Sequence, residues 1–205
     1  MSGKKSGNCL GRPRSHQSQE AILNATWNLL QTKSVGELSI EAIAKEACVG
    51  KATIYRWWSS KTAVVVDAFM AKVQPQLSFA ETQSAAEALK AQFASIVKIF
   101  NGDYGRILRE IVGEGQGDRE VLESFRDRFL TPRREAAKVV IKRGIETGEF
   151  DKELDPELAM DILYGPIYYR MLLGHLPLDE DFAATLPKRV LRCFVAEANN
   201  DKSNF

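Results

Sequence analysis

Within residues 51–57 the chain places Lys51, Thr53, Tyr55, Arg56 and Trp57, with Ser39 and Lys61 on either side. These side chains donate hydrogen bonds or offer flat aromatic faces. Base edges in a duplex major groove accept from such donors, and phosphate oxygens accept from lysine, arginine, hydroxyl and indole groups. The chemistry they support is recognition of a polyanion, with no bond made or broken.

The elements that must hold them follow from spacing. Ser39 is placed to cap a short helix whose Ile40, Ile43, Ala44 and Ala47 share one face. Cys48-Val49-Gly50 then turns the chain, and Ala47 and Ala52 are small enough for two helices to approach closely. Val49, Ile54 and Trp58 anchor the second helix, which leaves Lys51, Ala52, Thr53, Tyr55, Arg56 and Trp57 on or near its open face. Ser60 can cap the next helix, whose first turn with Lys61 makes a phosphate site. On this reading Trp58 is core and Tyr55 and Lys51 meet DNA, while Arg56 and Trp57 either touch phosphate or pack on a neighbouring helix.

Charge supports a division of labour. Residues 1–75 hold ten Lys/Arg against five Asp/Glu and the remainder eighteen against twenty-two, although the 205-residue chain carries a formal charge of only +1. A basic, polyanion-facing part is joined to an acidic part with another task. The 44% hydrophobic and 27% charged content is that of a globular protein. Cys9, Cys48 and Cys193 are odd in number and far apart, without disulfide or metal spacing, which fits a reducing cytoplasm. The N-terminal MSGKKSGNCLGRPR lacks the apolar segment of a secretory signal, and no run approaches the ~20 apolar residues of a spanning helix. A cytoplasmic protein without a membrane segment is expected.

Apolar residues recur at helical spacing almost throughout, and no sustained period-two run appears, so the expected fold class is all-α. Ser84 with Glu87 reads as a capping box, Asp155-Pro156-Glu157 as a helix start, and Gly148 and Leu176-Pro177 as stops. About nine helices result, near 16–32, 39–47, 50–57, 60–73, 84–101, 103–115, 118–147, 156–174 and 179–198. Pro132 should kink or split the seventh. The domains expected are a flexible basic arm at 1–14, a helix-turn-helix domain at 15–73, and a helical domain at 76–205.

The acidic half lacks catalytic grammar. His16 and His175 lie in different segments without a nucleophile pattern, and Gly113 to Asp118 lacks both the preceding strand and the lysine of a phosphate loop, so a bend between helices is expected there. No catalytic residue, metal or cofactor is called for. Phe93, Ile96, Val97 and Phe100, with Ile107, Leu108, Ile111, Phe125, Phe129, Tyr164, Ile167 and Tyr168, supply apolar area. They either fill a core or, with the phenols of Tyr104, Tyr164 and Tyr168, frame a cavity for a small, mostly apolar molecule.

The block LSIEAIAKEACVGKATIYRWWSSKTAVV, residues 38–65, closely resembles the DNA-binding segment of the TetR family of bacterial transcriptional repressors. Cys48 stands where that pattern usually has a glycine. The resemblance implies that Lys51, Ala52 and Tyr55 approach base edges while Ser39, Thr53, Trp57 and Lys61 hold phosphates; base contact is not carried over to Glu41. Arg12 and Arg14, in GRPR, either reach an adjacent minor groove or belong to a solvated tail. A weaker likeness to the ligand-binding half of one TetR subgroup extends the match along the chain. It implies a homodimeric repressor that leaves a near-palindromic operator in double-stranded DNA when a small apolar or aromatic effector binds. Implied cavity residues are Phe93, Val97, Phe100, Leu108, Ile111, Phe125, Tyr164 and Tyr168. Those implied for the subunit interface are Leu163, Pro166, Ile167, Met171, Leu186, Val190, Leu191 and Phe194. Two rivals are an activator with the same head and a small helical enzyme, for which no nucleophile or metal cluster is found.

Overall fold

The computed structural model describes residues 13–79 and 82–196, with side chains from residue 16 onward. Among the described residues the regular elements are all helical: α1 (Pro13–Leu30), α2 (Ile40–Glu46), α3 (Lys51–Tyr55), α4 (Lys61–Val73), α5 (Ala85–Phe100), α6 (Asp103–Gly117), α7 (Arg119–Phe125), α8 (Thr131–Glu146), α9 (Pro156–Leu173) and α10 (Glu180–Val190). The chain divides into two compact units between Ala68 and Phe69, inside α4 and ahead of Gln74-Pro75-Gln76. Phe69 already belongs to the second core, with ring centroids 5.3 Å from Phe129 and 6.5 Å from Tyr104.

In the first unit Ile22, Ile40, Ile43, Ala44, Ile54, Trp58, Ala63 and Val64 form one buried cluster. Burying a side chain such as Ile or Val contributes about 1.5–3 kcal/mol. That packing holds α2 and α3, of seven and five residues, which are too short to persist alone. Ser39 caps α2, its Oγ accepting from Ala42 N at 3.1 Å, and Ser60 Oγ accepts from Ala63 N at 3.2 Å at the start of α4. The turn between α2 and α3 is a Schellman motif. Cys48 N donates to Lys45 O at 3.2 Å and Val49 N to Ala44 O at 2.9 Å, with Cys48 in the left-handed region at φ 53°. A cysteine therefore occupies the one position of this turn where a residue other than glycine is strained.

The second unit departs from local expectation at four places. Glu87 turns to Lys90 at 2.8 Å and leaves the capping box half made. Glu149 takes its place, accepting from Ser84 Oγ at 2.6 Å, Ala85 N at 2.6 Å and Ala86 N at 2.9 Å. Partial burial works against the Glu149 charge, but these hydrogen bonds and nearby Arg143 outweigh it and hold the carboxyl below its ordinary range. Second, Gly113 and Gly115 lie inside α6, which runs to Gly117; the break comes at Asp118, whose Oδ1 caps α7 by accepting from Glu120 N at 2.9 Å. The expected bend over Gly113–Asp118 is thus helical through Gly117 and confined to Asp118, and Gly115 lets α6 sit against Leu122, 3.3 Å from where a Cβ would be.

Third, α7 and α8 are joined by a π-helical turn, Arg126–Leu130, immediately before Pro132. The wider turn accommodates the proline, which lacks an N–H and crowds the carbonyl one turn earlier. Last, α10 ends at Val190 and continues as a 3-10 turn, Leu191–Phe194, instead of reaching 198. Phe194 O accepts from Asp151 N at 2.7 Å, which ties this turn to the segment after α8. Among the described residues no helix is long and apolar enough to cross a membrane.

Candidate nucleic-acid interface and internal cavity

α3 presents the donors as its spacing required. Ile54 and Trp58 are buried, and Trp58 Nε1 donates to Asp67 Oδ2 at 2.7 Å, so this indole serves the core. On the other side Lys51, Ala52 and Arg56 are exposed, Thr53 is half-buried, and Tyr55 and Trp57 keep 55% and 41% of their surface in solvent. Large aromatics left that far out of a small core are available to a partner. The Arg56 guanidinium lies 5.8 Å from the Trp57 ring centroid, so these two share a patch. Ser39 is half-buried at its cap, where its hydroxyl proton stays free to donate.

Two residues behave differently from expectation. Lys61 Nζ donates to Val35 O at 2.8 Å and Gly36 O at 3.4 Å. It ties the α1–α2 loop to α4, and its phosphate role falls to whatever donor capacity remains. Glu41, which the sequence left outside the interface, pairs with Lys51 at 2.9 Å. Their shared hydrogen bond raises the Lys51 pKa and lowers that of Glu41. The pair is exposed, so its meaning is the direction in which Lys51 points, not stability. Arg12 and the Arg14 side chain lie outside the described residues.

Within the second unit α5–α9 line a half-open cavity of about 450 Å³. Phe125, Tyr164 and Tyr168 line it as expected, together with Ile96, Val112, Leu122, Leu130, Met160 and Ile167. Phe93, Val97, Phe100, Leu108 and Ile111 are buried in the surrounding core instead and do not form its wall. Five polar wall residues were missed by sequence reasoning: Gln92, Arg126, Arg133, Arg134 and Asp161. Charged residues in a helical stretch read as solvent-facing, and nothing in the local pattern marks these as turned inward.

The Tyr164 hydroxyl donates to Gln92 Oε1. Burial pushes the Tyr164 phenol up, and pushes that of Tyr168 up to about 12, so both keep their protons. Arg134 is held at the rim by Glu157 at 2.6 Å and Asp161 at 2.7 Å. The arrangement is an apolar chamber with a few placed polar groups, suited to holding a small molecule.

α9 is apolar around its girth, and the structure decides which side is covered. Leu163, Ile167 and Met171, with Leu191 and Phe194, are buried in the unit's own core, while Pro166, Leu186 and Val190 are half-buried. The open face is instead Leu158, Ile162, Tyr169, Leu172 and Leu173, continued by Leu176. His175 lies at its end with its ring 4.7 Å from that of Tyr169.

Comparison with known proteins agrees with both parts. Residues 22–68 match the family described as bacterial regulatory proteins, tetR family, and residues 79–202 match the tetracyclin repressor-like C-terminal domain. An uncharacterized HTH-type transcriptional regulator of Bacillus subtilis (strain 168), YdeS, is 37% identical over 163 residues, 80% of this chain and 82% of that one. The crystal structure of the TetR family transcription regulator SCO0332 is similar with a TM-score of 0.77 and 29% identity, covering 86% of this chain and 97% of that one. The FadR regulator of Bacillus subtilis, solved in complex with stearoyl-CoA, shares the fold with a TM-score of 0.59 at 18% identity, covering 88% of this chain and 97% of that one.

Proposed function

The chain belongs to the TetR family of bacterial transcriptional regulators, with a DNA-binding helix-turn-helix, and from that premise we propose a homodimeric repressor released from its operator by a small, mostly apolar effector. The observation that carries this reading is α3: a helix anchored by Ile54 and Trp58 with Lys51, Tyr55, Arg56 and Trp57 left outward. Lys51, Ala52 and Tyr55 meet base edges, and Ser39, Thr53 and Trp57 meet phosphates. Two copies of α3 enter successive major grooves about 34–36 Å apart, which makes the operator near-palindromic.

The second copy of the chain sits on the open face of α9. Leu158, Ile162, Tyr169, Leu172 and Leu173 form an apolar stripe that a soluble monomer would leave in water. The cavity receives the effector. The relative solved with stearoyl-CoA supports an apolar class of molecule, as does the mostly aliphatic and aromatic wall.

Induction passes along α4. Arg133 in the cavity wall lies over the Phe129 ring at 4.5 Å, and Phe129 packs on Phe69 at 5.3 Å. Phe69 is in α4, and the same helix begins at Lys61 in the first unit. A coupling of about 1–3 kcal/mol between effector and operator is enough to change occupancy usefully. The test is selection of bound duplexes from random DNA with purified protein, followed by a reporter carrying the selected site. A near-palindromic site and reduced expression support the reading. Absence of sequence preference refutes DNA recognition, and raised expression assigns an activator.

A further inference from the structure

The cavity contains a cation that the fold leaves unpaired. Arg133 is partly buried in the wall, and its guanidinium is 4.5 Å from the Phe129 ring centroid. Among the described residues no carboxylate lies within ion-pair distance of it, whereas adjacent Arg134 has Glu157 and Asp161 at 2.6 and 2.7 Å. Burial lowers the Arg133 pKa, a direction that marks a charge drawn from water without a matching anion. The guanidinium nonetheless stays protonated and offers a planar fork of donors.

Two further donors share the wall. The Tyr168 hydroxyl and Gln92 Nε2 make no hydrogen bond among the described residues, while Gln92 Oε1 is occupied by Tyr164. Two other polar wall residues are already engaged, Asp161 by Arg134 at 2.7 Å and Arg126 by Asp127 at 3.0 Å, so the wall groups left without a partner are the Arg133 guanidinium, the Tyr168 hydroxyl and the Gln92 amide N–H, all able to donate. The remaining wall is apolar, with Ile96, Leu122, Leu130 and Met160 among its members.

We propose that the effector is an organic acid with an apolar body, its carboxylate held by Arg133 with Tyr168 and Gln92 donating to it. The inference rests on the cavity being the effector site. At roughly 30 Å³ for each water-sized group, 450 Å³ takes about fifteen non-hydrogen atoms, the size of a medium-chain or arylalkyl acid. A carboxylate matches the guanidinium in charge and in its two-pronged geometry. Its arrival also supplies the counter-charge next to Phe129, the side chain that packs on α4 through Phe69.

The experiment is calorimetric titration of the full chain, without DNA, using octanoate, decanoate and 4-phenylbutyrate, each beside its matched primary alcohol and primary amine. At least one acid is expected to bind, with its alcohol roughly tenfold or more weaker, the scale of a hydrogen bond to a charged group, and its amine weaker still. Arg133→Gln should abolish the preference for acid over alcohol with an unchanged far-UV circular dichroism spectrum, and Arg133→Lys should keep it. Should Arg133→Gln fail to fold, Tyr168→Phe reads the same contact, weakening the acid several-fold and the alcohol less. Equal binding of acid and alcohol, an acid preference that survives Arg133→Gln, or no acid binding below about 1 mM overturns the proposal. Acid binding without operator release leaves this site standing and removes the induction step. Release by neutral compounds alone does the reverse.

Discussion

Replacing Cys48 by glycine should stabilise the DNA-reading unit. The residue closes the Schellman turn between α2 and α3 at φ 53°, where its Cβ crowds the backbone. A non-glycine residue in that region costs about 1–2 kcal/mol. Glycine removes this cost but gives the unfolded chain more freedom, a loss of about 0.5–1 kcal/mol. The net expectation is a gain of about 0.5–1 kcal/mol. Cys48 is exposed, so no packing is lost with its side chain. Urea titration followed by circular dichroism, and by the fluorescence of Trp57 and Trp58, measures it. Cys48→Ala is the control, because it removes the thiol and keeps the Cβ, and should match the parent within about 0.5 kcal/mol. Cys48→Val, with a branched Cβ in the same region, should be less stable than either. A glycine variant no more stable than the alanine variant refutes the reasoning.

Four other outcomes follow from the geometry. Tyr55→Ala should weaken operator binding about 10-fold or more, one lost base-edge or phosphate contact in each subunit, with no change in the melting temperature; filter binding or fluorescence anisotropy checks it. Lys61→Ala should lower stability by about 1 kcal/mol, since Nζ holds Val35 O, and should change the salt slope of operator binding by less than one ion per subunit. Glu149→Gln tests the long-range cap of α5. The carboxyl pKa is depressed in the fold, so its contribution is complete above the unfolded value of about 4.3 and is lost as pH falls through the lower folded value. A deficit of about 1 kcal/mol at pH 7 should therefore shrink once pH falls below the unfolded value and close below the depressed folded one, read as urea midpoints across pH. Leu173→Glu, on the open face of α9, should convert a dimer to a monomer in sedimentation equilibrium while leaving helicity intact.

Much of the reading head was decided by residues close together in sequence. Ser39, the Ile40–Ala44 face, the small residues at the turn and the alternation of anchors and donors along 51–58 act over one or two helical turns, so the all-α class and the outward side of α3 could be read without a structure. The same holds for the caps at Asp155 and Ser60 and for the interruption at Pro132. What lay beyond reach depended on distant partners. Glu149 caps a helix 64 residues earlier, and Lys61 binds a carbonyl 26 residues before it. α9 has apolar residues on every side, so its periodicity carries no phase, and only packing chose Leu163, Ile167 and Met171 for the core and Leu158, Ile162 and Tyr169 for the outside. The cavity wall was decided in the same way: whether Phe93 fills a core or Arg133 turns inward depends on five helices meeting, a fact that no local stretch of the chain contains.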